Sequence, residues 1–422
     1  MILPELRAYN MRVTITLCFV VALIEGLDLQ SAGIAAAGIR EAFSLSPSMM
    51  GWMFSSSIIG LLPGAFIGGW LADRIGRKRV LAGSVILFGI FSLATAYCAD
   101  VYLLLIVRFL TGLGLGAALP NLIALSSEAV EERYRSTAIS VMYCGVPLGG
   151  ATASLISMLF PSNWQTIFIV GGIAPLLVAP LIMFVMPESE AFHNRASAKK
   201  AHAAEQTDTR IGLLTEGRAV STLTLWMSYF FTLTVMYMML NWLPTLLIDQ
   251  GFSRPQASGI QMMFGVGGAV GSLAAGLLLD RINQQKVTLG MYALVLASLT
   301  GLAFSTGFPA MMLSGFVFGF AILGSQLVLY SLAPRLYPTR IRATGVGSAV
   351  AVGRLGSVAG PLVAGQLLAL GVGSAGVLGA CMPGLVIASL AAVRLLGGLK
   401  VAKNDVGGSI HHSPASTAKA LQ

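Results

Sequence analysis

Residues 69–74 read GWLADR and residues 276–281 read GLLLDR, 207 positions apart. Each follows an apolar stretch long enough to cross a bilayer, and each ends in an acid–base dipeptide, Asp73-Arg74 and Asp280-Arg281. The same offset carries Arg135-Ser136-Thr137 onto Arg342-Ala343-Thr344, Gly112 onto Gly319 and Gly149 onto Gly356. Matches repeated at one spacing mark an internal duplication.

Working outward from the repeat, twelve apolar segments of about 20 residues or more can be traced. They lie near 13–39, 49–71, 80–98, 102–125, 137–160, 165–186, 220–247, 257–279, 286–306, 309–333, 343–369 and 374–398. The chain is 56% hydrophobic and 10% charged, against about 25% charged in soluble domains. Its mean hydropathy is +0.81. The expected fold is all-α and polytopic: twelve transmembrane helices in two pseudo-symmetric six-helix halves, related by an axis along the membrane normal. The halves are residues 1–186 and 219–399. A polar linker joins them at 187–218, and a tail expected to be disordered follows at 400–422.

The net charge of +9 raises the question of nucleic acid, but the placement of the charges argues against it. Arg74, Arg77, Lys78, Arg79, Arg133, Arg135, Lys199, Lys200, Arg281, Lys286, Arg335, Arg340 and Arg342 fall in segments that share one face of the membrane. The opposite loops hold only Arg40 and Arg254. By the positive-inside rule the basic face, with both termini, is cytoplasmic. The first apolar run follows Arg7 and Arg12 like a secretory leader, yet it is too long, carries two acids and precedes eleven more spans. The four cysteines show no CxxC spacing, and the histidines lie in the linker and tail, so no metal or other cofactor is expected. Gly265-Val266-Gly267 follows no strand and is not a nucleotide loop. Glycines four apart, such as Gly60/Gly64/Gly68 and Gly267/Gly271, suit close helix packing in lipid.

Of the 17 acids, all but Glu25 and Asp28 fall in loops, tails or helix ends. Of the 26 Lys and Arg, only Arg108 and Arg354 lie well inside a span. Each such residue costs about 2.5–3.5 kcal/mol at a helix centre on insertion scales, so each is expected to face a cavity or a partner. Glu25 and Asp28 are three apart and share a helical face. Asp28 and Arg108 both lie on the outer side of their span centres, which permits a pair, and Arg354 lies close to the midplane. Structural ion pairs locking helices together are one reading. The other is functional: burial penalises a charged carboxylate and a guanidinium restores it, so the protonation state of Asp28 changes when its partner moves. Arg354 offers a permanent fork for a carboxylate, supplied by an anionic substrate or, in the empty state, by Glu25. Tyr229, Tyr237, Asn241, Gln326 and Tyr330 are candidate ring contacts on helices 7 and 10, while Trp242 is expected to anchor at the interface.

GWLADRIGRKR at 69–79 resembles the signature between helices 2 and 3 of the major facilitator superfamily. The resemblance implies a cytoplasmic gate built on Gly69, Asp73, Arg74, Gly76 and Arg77. In it Asp73 meets the N-terminal end of helix 11 near Arg342, and Arg77 meets Glu128; Asp280 and Arg281 form a weaker second copy. Glu25-Gly26-Leu27-Asp28 looks like the acidic motif on helix 1 of the aromatic acid:proton symporters. Arg108, Glu128, Arg342 and Arg354 match charged positions of that group. EGLDLQSAGIAAAGI, GLLPGA, TGLGLGAALPNLIALSSEA, MYCGVP, NWLPTLL and IRATGVGSAVAVGRLG resemble its members that carry hydroxylated arylpropionates. That likeness implies a carrier, not an enzyme, importing such an acid or the related cinnamate across a bacterial inner membrane with protons as the coupling ion, and acting as a monomer. Two rivals stand beside it. One is a proton-driven exporter of aromatic acids or drugs, suggested by Gly145-Val146-Pro147-Leu148-Gly149-Gly150. The other is a membrane sensor signalling through residues 187–218.

Overall fold

A computed structural model describes residues 4–188, 218–337 and 341–408. Side chains are described from residue 9 onward, except those of Asp280, Ala343 and 397–408. The linker at 187–218 and the end of the tail therefore fall almost wholly outside the described residues. Among these residues there are twelve helices long and apolar enough to cross a membrane, numbered 1 to 12: Tyr9–Ile34, Pro47–Ile75, Arg77–Thr95, Val101–Glu128, Glu132–Leu159, Gln165–Val185, Ala219–Asp249, Arg254–Leu279, Gln284–Phe304, Phe308–Arg335, Thr344–Ala369 and Ser374–Leu396.

Two boundaries differ from the sequence expectation. Helix 1 stops at Ile34, and the apolar run to 39 becomes a separate short helix, Ala36–Phe43. The small residues there are used for close contact: Gly33 lies against the backbone of Leu240 and Asn241, and Gly38 against the Trp164 ring. The final helix continues to Gly408 rather than ending at 400; the added residues 401–406 contain no proline or glycine.

Local chemistry sets the helix starts. Ser46 accepts from Met49 N–H at 3.3 Å with Pro47 following, and Asp100 accepts from Leu103 N–H at 2.9 Å. Ser253 forms a reciprocal capping box with Gln256. Ser46 and Ser253 are themselves 207 residues apart.

The duplication extends to backbone contacts. A methyl group on Gly60 would overlap the Phe109 carbonyl, and one on Gly267 the Phe316 carbonyl; Gly64 meets Leu113 and Gly271 meets Phe320; Gly112 meets Ser57 and Gly319 meets Phe264. Every partner pair is displaced by the same 207. Helices 2 and 4, and likewise 8 and 10, thus touch backbone to backbone, where any side chain would force them apart. Gly112→Val and Gly319→Val should each sharply reduce the yield of folded protein in the membrane, whereas Gly83→Ala, with open space around it, should not. Comparable yields for all three would refute the packing argument.

The two halves meet along the ends that carry the sparse loops, the side expected to be outer. Ser48 reaches Gln366 at 3.5 Å, Ser55 donates to the Val358 carbonyl at 2.9 Å, and Ser157 and Ser258 are 3.0 Å apart. Gln261 donates to Gln30 at 3.2 Å. On the surface Arg40 faces Asp249 at 3.9 Å, and Glu41 pairs with Arg254. Both outer-loop arginines are therefore engaged between halves. Helix 11 shows where contact ends. Its Val358, Leu362, Gly365 and Gln366 form one stripe against helix 2. The same stripe continues inward as Thr344, Gly347, Ala351 and Leu355, which are exposed. Ala65, Phe66 and Ile67 on the inner half of helix 2 are exposed too. The molecule is closed on the side of the sparse loops and splayed on the side of the basic ones.

Arg254 holds the Glu41 carboxyl below its ordinary value of 4.5, first by hydrogen bonding and then by charge. A carboxyl lowered by its partner contributes to closure at any pH above the ordinary value and loses that contribution only as pH falls through the lowered one. Glu41→Gln should therefore loosen the outer closure without changing the shape of a transport pH profile between about 5 and 8. A shifted profile would contradict this.

Candidate functional site

Asp28 and Arg108 form a sealed pair. Arg108 Nη1 donates to Asp28 Oδ1 at 2.9 Å, and Nη2 lies 3.5 Å from the Asp28 carbonyl. Both side chains are at most 2% exposed. Helix 1 brings the acid and helix 4 the base, as their depths suggested. The Phe168 ring stands 5.5 Å from the guanidinium carbon. Gly171 on helix 6 leaves space near Asp28 Oδ2. Among the described residues Asp28 Oδ2 and Arg108 Nε have no hydrogen-bond partner. The pair is neutral overall but incompletely bonded, which makes its exchange for a proton cheaper than breaking a fully satisfied network.

Glu25 faces elsewhere. Gly26 packs helix 1 directly on the backbone of Val146 in helix 5, so the glycine makes room for a helix rather than a ligand. The cation whose charge reaches Glu25 is Arg354. No ion pair joins them, so the empty-state Glu25–Arg354 bridge allowed by the sequence does not form. Arg354 Nη1 instead donates to the Tyr237 hydroxyl at 2.7 Å, with the Tyr237 ring 5.9 Å away. Gln326 Nε2 donates to the Tyr330 hydroxyl at 3.0 Å. Tyr143 and Arg354 are only half-buried although each lies well inside its span, and Tyr330, towards the end of helix 10, is half-buried too. Partial exposure at that depth places them on an internal cavity between the halves.

Other candidates are positioned differently. Asn241 is buried and donates to its own helix at the Tyr237 carbonyl, 2.8 Å away, where Gly33 crosses. It belongs to the outer closure and not to the Arg354 group. Tyr229 is fully buried and supports Tyr330, with ring centres 5.8 Å apart. Trp242 is no interface anchor: it is 1% exposed, donates to the Pro361 carbonyl at 3.0 Å and stands edge-on to Phe54 at 5.1 Å. Its place at the end of an apolar run was misleading because helix 7 continues past it, inside the protein, to Asp249.

Among the residues expected to form a gate, Arg77 pairs with Glu128, and Arg74 covers the Trp70 ring at 3.7 Å. Asp73 and Arg342 are exposed on the splayed side, as is Arg281. Gly69 has open space around it; Asp280 lies outside the described side chains. Gly76 adopts φ +101°, which demands glycine, and the Glu188 carboxylate fills the space beside it. Glu188 accepts from Lys78 N–H at 3.1 Å, so the end of helix 6 caps helix 3. In the second copy Asn283 caps helix 9 locally, accepting from Gln285 N–H at 3.0 Å. Nothing in the sequence marked Glu188 for that role, nor Tyr143 for the cavity.

A model of the Major Facilitator Superfamily matches residues 18–361 and 225–417. The chain belongs to the major facilitator superfamily. It is 51% identical over 395 residues to the 3-(3-hydroxy-phenyl)propionate transporter of Escherichia coli, covering 93% of this chain and 96% of that protein. It is 36% identical to the 4-hydroxybenzoate transporter PcaK of Pseudomonas aeruginosa, covering 87% and 88%. Among solved structures the D-xylose–proton symporter superposes with a TM-score of 0.73 at 19% identity, covering 92% of this facilitator and 97% of that chain. This facilitator is thus a multi-pass membrane transporter and not an enzyme, and the fold expected from its duplication is the fold it has.

Proposed function

We propose that this facilitator imports a phenolic aryl-carboxylate, of the 3-(3-hydroxyphenyl)propionate or hydroxycinnamate kind, by proton symport and alternating access across a bacterial inner membrane, with both termini in the cytoplasm. The single observation that carries the reading is Arg354: a guanidinium in mid-span, hydrogen-bonded to the Tyr237 hydroxyl and, among the described residues, to no carboxylate. Such a charge is costly unless a visiting anion neutralises it. A substrate carboxylate docks there through two parallel bonds, with its ring beside Tyr237 and Tyr330. The named cargo of both relatives is an aryl acid.

Coupling follows from the sealed pair. In the outer-open state Asp28, on the outer side of helix 1, takes a proton and releases Arg108. Substrate binds, and the halves rock about the cavity. A closed Asp28–Arg108 pair in a molecule splayed on the basic side supports the reading in which the pair re-forms once the proton leaves. One proton with one monoanion moves no net charge, so the pH gradient drives uptake; a second proton would add about 2.3 kcal/mol per 100 mV. Glu25, buried within electrostatic reach of Arg354, is the candidate for it. Proteoliposomes with acid outside should accumulate labelled 3-(3-hydroxyphenyl)propionate, and collapse of the gradient should reduce this to equilibration. Efflux under the same gradient would make the protein an exporter instead.

A further inference from the structure

Helix 5 breaks after Tyr143 because Pro147 has no N–H to give to the Tyr143 carbonyl. The break lies on the seam between the halves. Cys144 Sγ lies 3.9 Å from the Ala269 carbonyl and 3.8 Å from Ser272 on helix 8, and Gly268 packs on both Pro147 and Leu323 of helix 10. Gly26, the residue after Glu25, packs on Val146. Tyr143 is thereby turned into the cavity, half-exposed, within electrostatic reach of Tyr330, Tyr237, Arg354 and Glu25. Its hydroxyl has no hydrogen-bond partner among the described residues. Tyr237, Gln326 and Tyr330 come from helices 7 and 10 of the same half as Arg354; Tyr143 and the Glu25 carboxyl come from the opposite half, and of these two the phenol is the donor that carries no charge.

Building on the transport reading, we propose that Tyr143 is the N-terminal half's hydrogen-bond donor to the substrate carboxylate, so that the bound anion bridges helix 11 to helix 5. A phenol suits the position. It stays neutral in an apolar surround, adds no charge to be desolvated, and donates one short bond to a carboxylate oxygen not used by the guanidinium. The bridge ties substrate occupancy to the approach of the halves: only a loaded cavity holds an anion that both can bind.

The test is uptake of labelled 3-(3-hydroxyphenyl)propionate into proteoliposomes by wild type, Tyr143→Phe, Tyr143→His and a control, Tyr292→Phe. The control loses a hydroxyl bonded to Thr232 at 2.7 Å, away from the cavity. Tyr143→Phe should raise KM about tenfold or more while leaving the accumulation ratio at saturating substrate unchanged. Tyr143→His, which keeps a donor, should recover most of the affinity, and Tyr292→Phe should leave KM unaltered. A wild-type KM in Tyr143→Phe overturns the assignment. So does a collapsed accumulation ratio at wild-type KM, which would place the phenol on the proton path. A wild type that takes up no aryl acid at all overturns the underlying transport reading, a result distinct from both.

Discussion

Asp28→Asn should abolish uphill accumulation while sparing exchange of substrate between two loaded compartments. Asparagine keeps the size and one acceptor oxygen but neither binds nor releases a proton. With acid outside by one pH unit, a one-proton carrier supports about tenfold accumulation, because one pH unit is worth about 1.4 kcal/mol. The variant should show a ratio near one. The substitution also strands Arg108, and breaking a buried pair from one side costs about 3–5 kcal/mol. Lower yield is therefore expected, and retained exchange is the control that the surviving molecules are folded. Asp28→Glu should restore part of the accumulation. Normal uphill uptake by Asp28→Asn would remove Asp28 from the proton path.

Arg354→Lys should weaken substrate binding by roughly ten- to a hundredfold, the range expected for losing a charge-assisted hydrogen bond. Lysine keeps the charge but replaces a planar fork with a point donor, and it loses the fixed geometry that the Tyr237 hydroxyl imposes at 2.7 Å. Arg354→Gln should cost more, since the anion would then meet no cation at mid-membrane. KM for labelled aryl acid at fixed pH reads both effects, and the accumulation ratio of whatever uptake remains should hold. An unchanged KM in Arg354→Lys would exclude Arg354 as the carboxylate site.

The legible parts of this molecule were those where physics punishes accident. A charge in hydrocarbon is costly, so Glu25, Asp28, Arg108 and Arg354 stood out, and depth along two antiparallel helices was enough to pair Asp28 with Arg108. Glycines spaced by four announced backbone contacts that the structure repeats at the offset of the duplication. Ser46 and Ser253 cap helix starts at that same offset. Tyrosine and tryptophan gave no such signal, because either is tolerated in a core, at a lipid interface or in a site. Tyr143 was hidden inside an apolar run, Trp242 resembled an interface anchor, and Asn241 resembled a ligand contact. Their roles depend on which helix crosses nearby: helix 8 beside Cys144, helix 11 at Pro361, helix 1 at Gly33. Glu188 escaped notice for the same reason, since its cap on helix 3 exists only once helix 6 has returned to that corner.

The central claim is that charges inside the membrane are neutralised by each other, by a proton or by a visiting aryl carboxylate, and that these events are linked. It is tested most directly with a pH-sensitive dye sealed inside proteoliposomes, no gradient imposed, and aryl acid added outside. Wild-type protein should acidify the interior faster than protein-free vesicles, at a rate that saturates with substrate, and Asp28→Asn should fall to the protein-free rate. Saturable substrate entry with no proton movement beyond the protein-free rate would contradict the account.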